Sequence, residues 1–376
     1  MKVVIAMDSL KGSLSSIEAD EAIRDGILGV CKDATIVISP LADGGEGTTD
    51  ALIDGMGGEK ISLSVTGPDK RIVEGYYGHI EDKKLAIIEM AMAAGITHLN
   101  DNERNPYTTT TYGVGEMIAH AIKKGCRSFI VGIGGSATND GGTGMLDALG
   151  YDFYNVSGEI IHPTGGTVDE IAEIREDNVL PELKNCKFRV ACDVDNPLCG
   201  KRGASYIFGP QKGASPEDCQ ILDQKMAKYA KVVEAHTNTT NSLAKGAGAA
   251  GGLGFAFLTF LPAQLGPGVQ LILDETGLEA KIQDADYVIT GEGRLDEQTS
   301  MGKAPIGVAR LAKKYDKKVI AFAGSIAPDA KICHEKGIDA FFPMVRGVCT
   351  LEEAMDKRCA YQNLKDATEE VFRLLV

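Results

Sequence analysis

The sequence lacks several signatures that would each point to one chemistry. No GxxxxGK[ST] run occurs, which excludes a Walker nucleotide site. No GxSxG nucleophile elbow occurs either. The nine cysteines stand at scattered spacings with no CxxC pair, so neither a zinc knuckle nor a dithiol redox motif is indicated. Reduced, mostly buried thiols in a cytosolic protein are expected instead. Histidines such as His79, His120 and His162 show no pairing or metal spacing. The longest apolar run, Ala247 to Leu261, is short of the ~20 residues a spanning helix needs, and it is rich in glycine, so it reads as core. No signal peptide is visible, because the chain opens on a strand-like run, Val3 to Ala6. Positive charge is also scarce. Thirty-nine Lys and Arg stand against 53 Asp and Glu, a net charge of −14. Neither nucleic acid nor an anionic membrane is then expected as the main partner.

What is abundant is glycine, and it gathers in loops. In Ile130 to Leu149 an apolar run, Phe129 to Val131, breaks into Gly132, Gly134, Gly135, Gly141, Gly142 and Gly144 and closes on a helical turn at Met145 to Leu149. A strand that runs into glycines and then a helix makes a backbone cradle for an anion, since bare N–H groups and the helix N-terminus favour negative charge. Two loose dinucleotide fingerprints exist, Gly132-x-Gly134-x-x-Ala137 and Gly246-x-Gly248-x-x-Gly251. Each is weak alone, and the second does not clearly follow a strand.

The length of 376 residues suggests two domains, at ~100–200 residues each. Val3 to Met7, Thr35 to Ser39, Ala285 to Thr290, Lys318 to Ala323 and Ala340 to Pro343 read as strands, with helices between them. Five such strands are the count of a flavodoxin-like, doubly wound α/β domain. Residues 1–60 plus 280–376 would form it. Residues 61–279 would be an inserted mixed α/β domain, whose Lys60 to Glu89 alternates as antiparallel strands do. The active site is expected in the cleft between the two. With the flavodoxin strand order, Asp8, Ser9 and Lys11 would lie beside a loop Gly291-Glu292-Gly293-Arg294 at the strand C-terminal ends, where open α/β sheets bind ligands. Phe208 to Gly213 and Gly246 to Gly254 also read as loops.

Carboxylates cluster in the loops: Asp8, Asp43, Glu46, Asp140, Asp193, Asp195, Glu292 and Asp296. Carboxylates among glycines suit Mg²⁺, which takes one or two of them plus phosphate oxygens. A carboxylate can also accept the proton of a substrate hydroxyl. Phosphoryl transfer needs cations as well. Lys11, Arg71, Arg294, Lys201, Lys212 and Lys303 are the few near these loops, with Lys11 and Arg294 the leading candidates.

At these loops the chain resembles the type 1 glycerate kinases. The resembling runs are DSLKGSLS at Asp8, PLADGGEGT at Pro40, GIGGSATNDGGTGML at Gly132, ACDVDNPLCG at Ala191, FGPQKGA at Phe208, GAGAAGGLGFAF at Gly246 and ITGEGRLDEQTSMGKAPIGVA at Ile289. The resemblance covers nearly the whole chain in order. It implies a cytoplasmic enzyme that phosphorylates D-glycerate with ATP and Mg²⁺. It also implies a flavodoxin-like domain interrupted by a second domain resembling the restriction-endonuclease fold. Product 2-phosphoglycerate is expected, with 3-phosphoglycerate as the alternative, and the oligomeric state stays open, a homodimer included. Residue roles come from chemistry. Lys11 or Arg294 would hold the glycerate carboxylate, and Asp193 or Asp195 would orient or deprotonate the attacking hydroxyl. Asp43, Asp193 or Asp195 would hold the metal, and Gly134, Gly135 and Ser136 would cradle phosphates. Asp8, Ser9, Asp43, Gly44, Gly45, Asp140, Asn196, Gly291 and Glu292 complete the expected binding set.

Overall fold

A computed structural model of the chain describes every residue except Asp43, Gly44 and Glu46. The chain opens with β1 (Lys2–Met7), whose Val3 to Met7 are wholly buried. Helix Ser16–Val30 follows. The Ser15 hydroxyl accepts from the Glu18 N–H while the Glu18 carboxylate accepts from the Ser15 N–H, so two otherwise orphaned donors are satisfied at once. Next come β2 (Thr35–Ile38), helix Thr48–Met56, β3 (Glu59–Thr66), β4 (Ile72–Ile80) and β5 (Leu85–Glu89). Helix Tyr112–Lys123 leads into β6 (Ser128–Gly132). Three short strands, β7 (Asp152–Tyr154), β8 (Ile160–Ile161) and β9 (Glu173–Arg175), form a small antiparallel sheet. After them run β10 (Lys187–Ala191), the helices Pro216–Thr237 and Ala249–Phe260, and β11 (Gln264–Gly266). The chain ends with β12 (Tyr287–Leu295), helix Ala304–Lys313, β13 (Lys318–Ile326), β14 (Ala340–Pro343) and helix Lys357–Arg373.

These elements divide into two compact units. The first comprises Met1–Asp43, Asp50–Gly57 and Val269–Val376, and the second Gly44–Thr49 and Gly58–Gly268. Residues 269–279 go with the first unit. Val269 and Leu273 pack over Gly307 of helix Ala304–Lys313, their side chains 2.6 and 3.2 Å from where a Cβ would stand there.

The first unit carries a five-stranded sheet in the order β14-β13-β12-β1-β2, parallel throughout. Counted within the unit the order is 2-1-3-4-5, so β1 and β12 flank the point where strand order reverses. Helices Ser16–Val30 and Lys357–Arg373 share one core with β1, through Ile23 and Ile27 on one helix and Leu364 and Phe372 on the other. The second unit carries a six-stranded sheet, β11-β10-β6-β5-β4-β3. Its β3, β4 and β5 pair antiparallel, as the alternating pattern predicts, and β5, β6, β10 and β11 run parallel.

Three expected loops have a different structure. Gly291–Arg294 is strand, because β13 runs on beside it and pairs Glu292 with Ala323 and Arg294 with Ser325. Glycine serves this strand by letting backbones approach: a Cβ at Gly291 would lie 1.9 Å from the Phe322 carbonyl oxygen. In Phe208–Gly213, Phe208 closes the helix Ala204–Phe208 and Pro210–Lys212 forms a 3-10 turn. Gly246–Gly254 enters helix Ala249–Phe260 directly, with a break where Ala250, Gly251 and Gly252 take φ of 52°, 68° and 95°.

Candidate functional site

In the first unit, parallel pairing brings the ends of β1 and β12 together. Met7 is in register with Gly291, and the Asp8 N–H donates to the Gly291 carbonyl at 2.9 Å. Asp8 is buried, and one of its oxygens accepts the Ser9 N–H at 2.7 Å. Two groups hold this edge from below. The Ser16 hydroxyl donates to the Met7 carbonyl at 2.6 Å and accepts from the Leu41 N–H at 3.0 Å. Fully buried Asp20 accepts the Met7 N–H at 3.0 Å, and burial raises its carboxyl well above the usual range. Glu292 is also buried. Lys303 stands 3.4 Å from its Oε2, and its Oε1 has no partner among the described residues. Burial raises this carboxyl, against the opposing pull of Thr299 and Lys303. Lys11 is exposed, and Arg294 is exposed with Asp296 at 3.6 Å. So the structure brings Asp8, Ser9, Lys11, Gly291, Glu292 and Arg294 to one sheet edge, as the strand count led us to expect.

In the second unit the parallel strands end level: Glu89, Gly132, Ala191 and Gly266 pair across one line of the sheet. The segments leaving that line hold the remaining candidates. Gly134 and Gly135 are exposed, and Gly135 has φ of 72°. Among the described residues, its chain neighbours aside, no atom lies within 4 Å of a Cβ built at Gly134, so that side of the turn faces open space. Asp193 is exposed beyond β10, and one of its oxygens accepts the Gly268 N–H at 3.2 Å. Asp195, two residues on, is exposed and paired with Arg202 at 2.7 Å. Asn196 donates to the Arg202 carbonyl at 2.7 Å and accepts the Gly248 N–H at 3.0 Å, which closes its own loop. Gly45 accepts from the Thr48 hydroxyl at 2.7 Å. Asp43 and Gly44 lie outside the described residues.

Asp140 is fully buried. Its carboxylate takes the Thr111 N–H at 2.7 Å, the Thr111 hydroxyl at 2.8 Å, the Gly142 N–H at 3.1 Å and the Gly144 N–H at 3.3 Å. The helix N-terminus of the glycine loop therefore faces an anion supplied by the chain itself. Burial still raises this carboxyl, although all four donors oppose the shift. The second glycine run locks the same loop from behind: the Gly141 N–H donates to the Gly251 carbonyl at 2.9 Å, and a Cβ at Gly251 would lie 2.0 Å from the Thr138 carbonyl oxygen. That run follows the 3-10 turn Asn241–Leu243 rather than a strand, so it has no dinucleotide-binding geometry.

Two more buried charged groups adjoin these segments, Lys212 at Ser136 and Glu89 beside Gly132. Lys212 is 1% exposed, and its ammonium donates to the Ser136 hydroxyl oxygen at 2.7 Å and to the Thr138 carbonyl at 2.6 Å. Burial pushes it down to about 7, with Asp140 opposing. A lysine between Gly/Pro punctuation and a strongly capped helix was visible in FGPQKGASPED, but its burial was not. Glu89 is buried at the end of β5 and accepts the Thr49 N–H at 2.7 Å and the Gly47 N–H at 3.3 Å. It meets the rule that singled out Asp8, a carboxylate closing an apolar strand.

Comparison with known proteins gives one answer. The model of the glycerate kinase family matches residues 3–376. A glycerate kinase of Bacillus cereus is 49% identical over 354 residues, 94% of this chain and 93% of that protein. A glycerate 2-kinase of Escherichia coli (strain K12) is 45% identical over 371 residues, 99% of this chain and 97% of that protein. The crystal structure of a Salmonella typhimurium LT2 protein, provisionally named glycerate kinase 2, aligns with TM-score 0.92 at 43% identity, covering 100% of this chain and 98% of that one.

Proposed function

The chain belongs to the glycerate kinase family, and from that premise we propose that it transfers the terminal phosphoryl group of ATP to the 2-hydroxyl of D-glycerate, giving 2-phosphoglycerate. Membership makes it a kinase that phosphorylates an alcohol group of a small molecule. The choice of carbon 2 is supported by the name of the Escherichia coli relative, a glycerate 2-kinase. The geometric observation that carries phosphoryl transfer is the level edge of the six-stranded sheet. There an open Gly134–Gly135 turn and the exposed carboxylate of Asp193 leave neighbouring regions of one sheet edge.

In this reading the Gly134 and Gly135 amides and Ser136 hold phosphate oxygens. Asp193 accepts the proton of the attacking hydroxyl as the new P–O bond forms and the bond to the leaving ADP oxygen breaks. Asp195 is the second candidate, and it must first part from Arg202. Lys11 or Arg294, exposed cations of the first unit, bind the glycerate carboxylate; Asp8, Ser9 and Glu292 shape that edge. Mg²⁺ would supply charge neutralisation on the phosphate oxygens. No group of three or more His, Cys, Asp or Glu that could hold a metal occurs among the described residues. A cation held mainly by ATP needs only one or two carboxylates, however, and the exposed Asp193 and Asp195 fit that need. Asp43 is the further expected ligand.

The five-stranded sheet is read as flavodoxin-like on its 2-1-3-4-5 order, and the second unit as restriction-endonuclease-like on the family resemblance. We place the enzyme in the cytoplasm, which suits its nine free cysteines. Among the described residues no helix is long and apolar enough to cross a membrane. A homodimer is tested by light scattering. The decisive experiment is phosphorus NMR with ATP, Mg²⁺ and D-glycerate. A new phosphomonoester doublet gives carbon 2 and a triplet carbon 3, whereas ATP left intact beside glycerate refutes the proposal.

A further inference from the structure

We propose that Lys212 is a positioning residue for a phosphate subsite at Gly134–Ser136: its buried ammonium makes the Ser136 hydroxyl a committed donor toward an anionic oxygen and supplies the charge that this oxygen meets. The inference rests on reading Gly134–Ser136 as the phosphate-holding turn.

When charged, Lys212 can only donate, and Ser136 Oγ is then the acceptor of their 2.7 Å hydrogen bond. The hydroxyl hydrogen is then left to be given elsewhere, and it has no acceptor among the described residues. Ser136 is itself buried, and the two residues before it are the exposed glycines, so its hydroxyl adjoins the open part of the turn. Lys212 makes no ion pair among the described residues. Asp140, the carboxylate whose charge it feels, already takes four donors of its own. Beside it, Thr138 Oγ1 and Asn139 Oδ1 are buried without a partner among the described residues, so the surroundings of the ammonium are polar and incompletely satisfied. A buried cation lacking a counter-ion is costly to fold, and an apolar side chain of the same length would fill the space without that cost. An incoming anion would act as the missing counter-ion. The value near 7 is consistent with a proton that is held firmly only when the anion is present.

The test compares wild type with Ser136→Ala, Lys212→Met, Lys212→Gln and the Ser136→Ala/Lys212→Met double variant. Equilibrium ATP affinity, kcat and both KM values are measured, with urea melts to check folding. A charge-assisted hydrogen bond predicts ATP affinity weaker by about 10- to 100-fold in each single variant, with the KM for D-glycerate unchanged. The double variant should lose less than the product of the two single losses, because the lysine acts in part through the serine. If Ser136→Ala weakens ATP binding and Lys212→Met does not, the lysine is only structural and the inference falls. Multiplying losses in the double variant also overturn it, as does a rise confined to the glycerate KM, which would make the anion a carboxylate. If Ser136→Ala changes nothing, the phosphate-turn reading itself fails. Should Lys212→Met not fold, Lys212→Gln, which keeps a donor and loses the charge, decides: undiminished ATP affinity overturns the proposal.

Discussion

Removal of the Asp140 carboxylate should unfasten the glycine loop. In the native structure that carboxylate satisfies three buried backbone N–H groups, of Thr111, Gly142 and Gly144, and the Thr111 hydroxyl. Thr111 in turn accepts the Met145 N–H at 2.9 Å, so the network reaches into the helix Thr143–Ala148. Asp140→Ala leaves all four donors without an acceptor. At roughly 1–3 kcal/mol for each unsatisfied buried group, less the relief of removing a buried carboxylate, the expected loss is about 4 kcal/mol. Asp140→Asn should cost less. Its amide nitrogen can replace the oxygen facing only Gly142, so one bond is lost and one donor–donor contact is made, at a cost of about 2 kcal/mol. Urea melts followed by far-UV circular dichroism read the stability, and hydrogen exchange reads the Gly142 and Gly144 amides one by one. Asp140→Ala within 1 kcal/mol of wild type, with those amides still protected, would refute the reasoning. Unchanged stability with a raised substrate KM would instead show Asp140 contacting the ligand.

Three further outcomes are expected. Lys212→Met should be more stable than wild type by about 2 kcal/mol near pH 6, where folded and unfolded lysine are both charged and the burial penalty of about 5 kcal/mol is partly offset by the donor lost to Thr138. The gap should close and then reverse as pH rises from about 7 toward 10.5, because the folded lysine releases its proton before the unfolded one and wild type regains the stability lost to the burial penalty; a gap independent of pH in paired urea melts would contradict this. Gly251→Ala places a methyl at φ of 68° and 2.0 Å from the Thr138 carbonyl oxygen, and should cost at least about 3 kcal/mol in the same assay. Asp193→Asn should lower kcat by ~10²–10⁴-fold in a coupled ADP-release assay if Asp193 is the base, and unchanged turnover removes it from the mechanism.

The alternation of Lys60 to Glu89 and the apolar runs of β1, β6, β12 and β13 were legible because they depend on residues near one another in the chain. The pairing of β1 with β12, and with it the meeting of Asp8 and Gly291, followed from strand count and the rules for parallel sheets. The resembling loop motifs likewise sufficed to identify the family, since their order along the chain is itself a sequence property. What neighbouring residues could not reveal was which polar side chains are buried and by whom they are met. Asp140 reads as a loop carboxylate open to a ligand, yet Thr111, 29 residues away, claims it. Lys212 reads as one of a few cations near the loops, yet it reaches Ser136, 76 residues away, in the interior. Gly251 reads as part of a phosphate loop, yet its missing side chain makes room for the Thr138 backbone. Local sequence determined the elements, their caps and the chemistry available at strand ends. Only tertiary structure decided which of those groups are spent on one another, because desolvation and hydrogen-bond satisfaction depend on contacts that residues distant in the chain make in space.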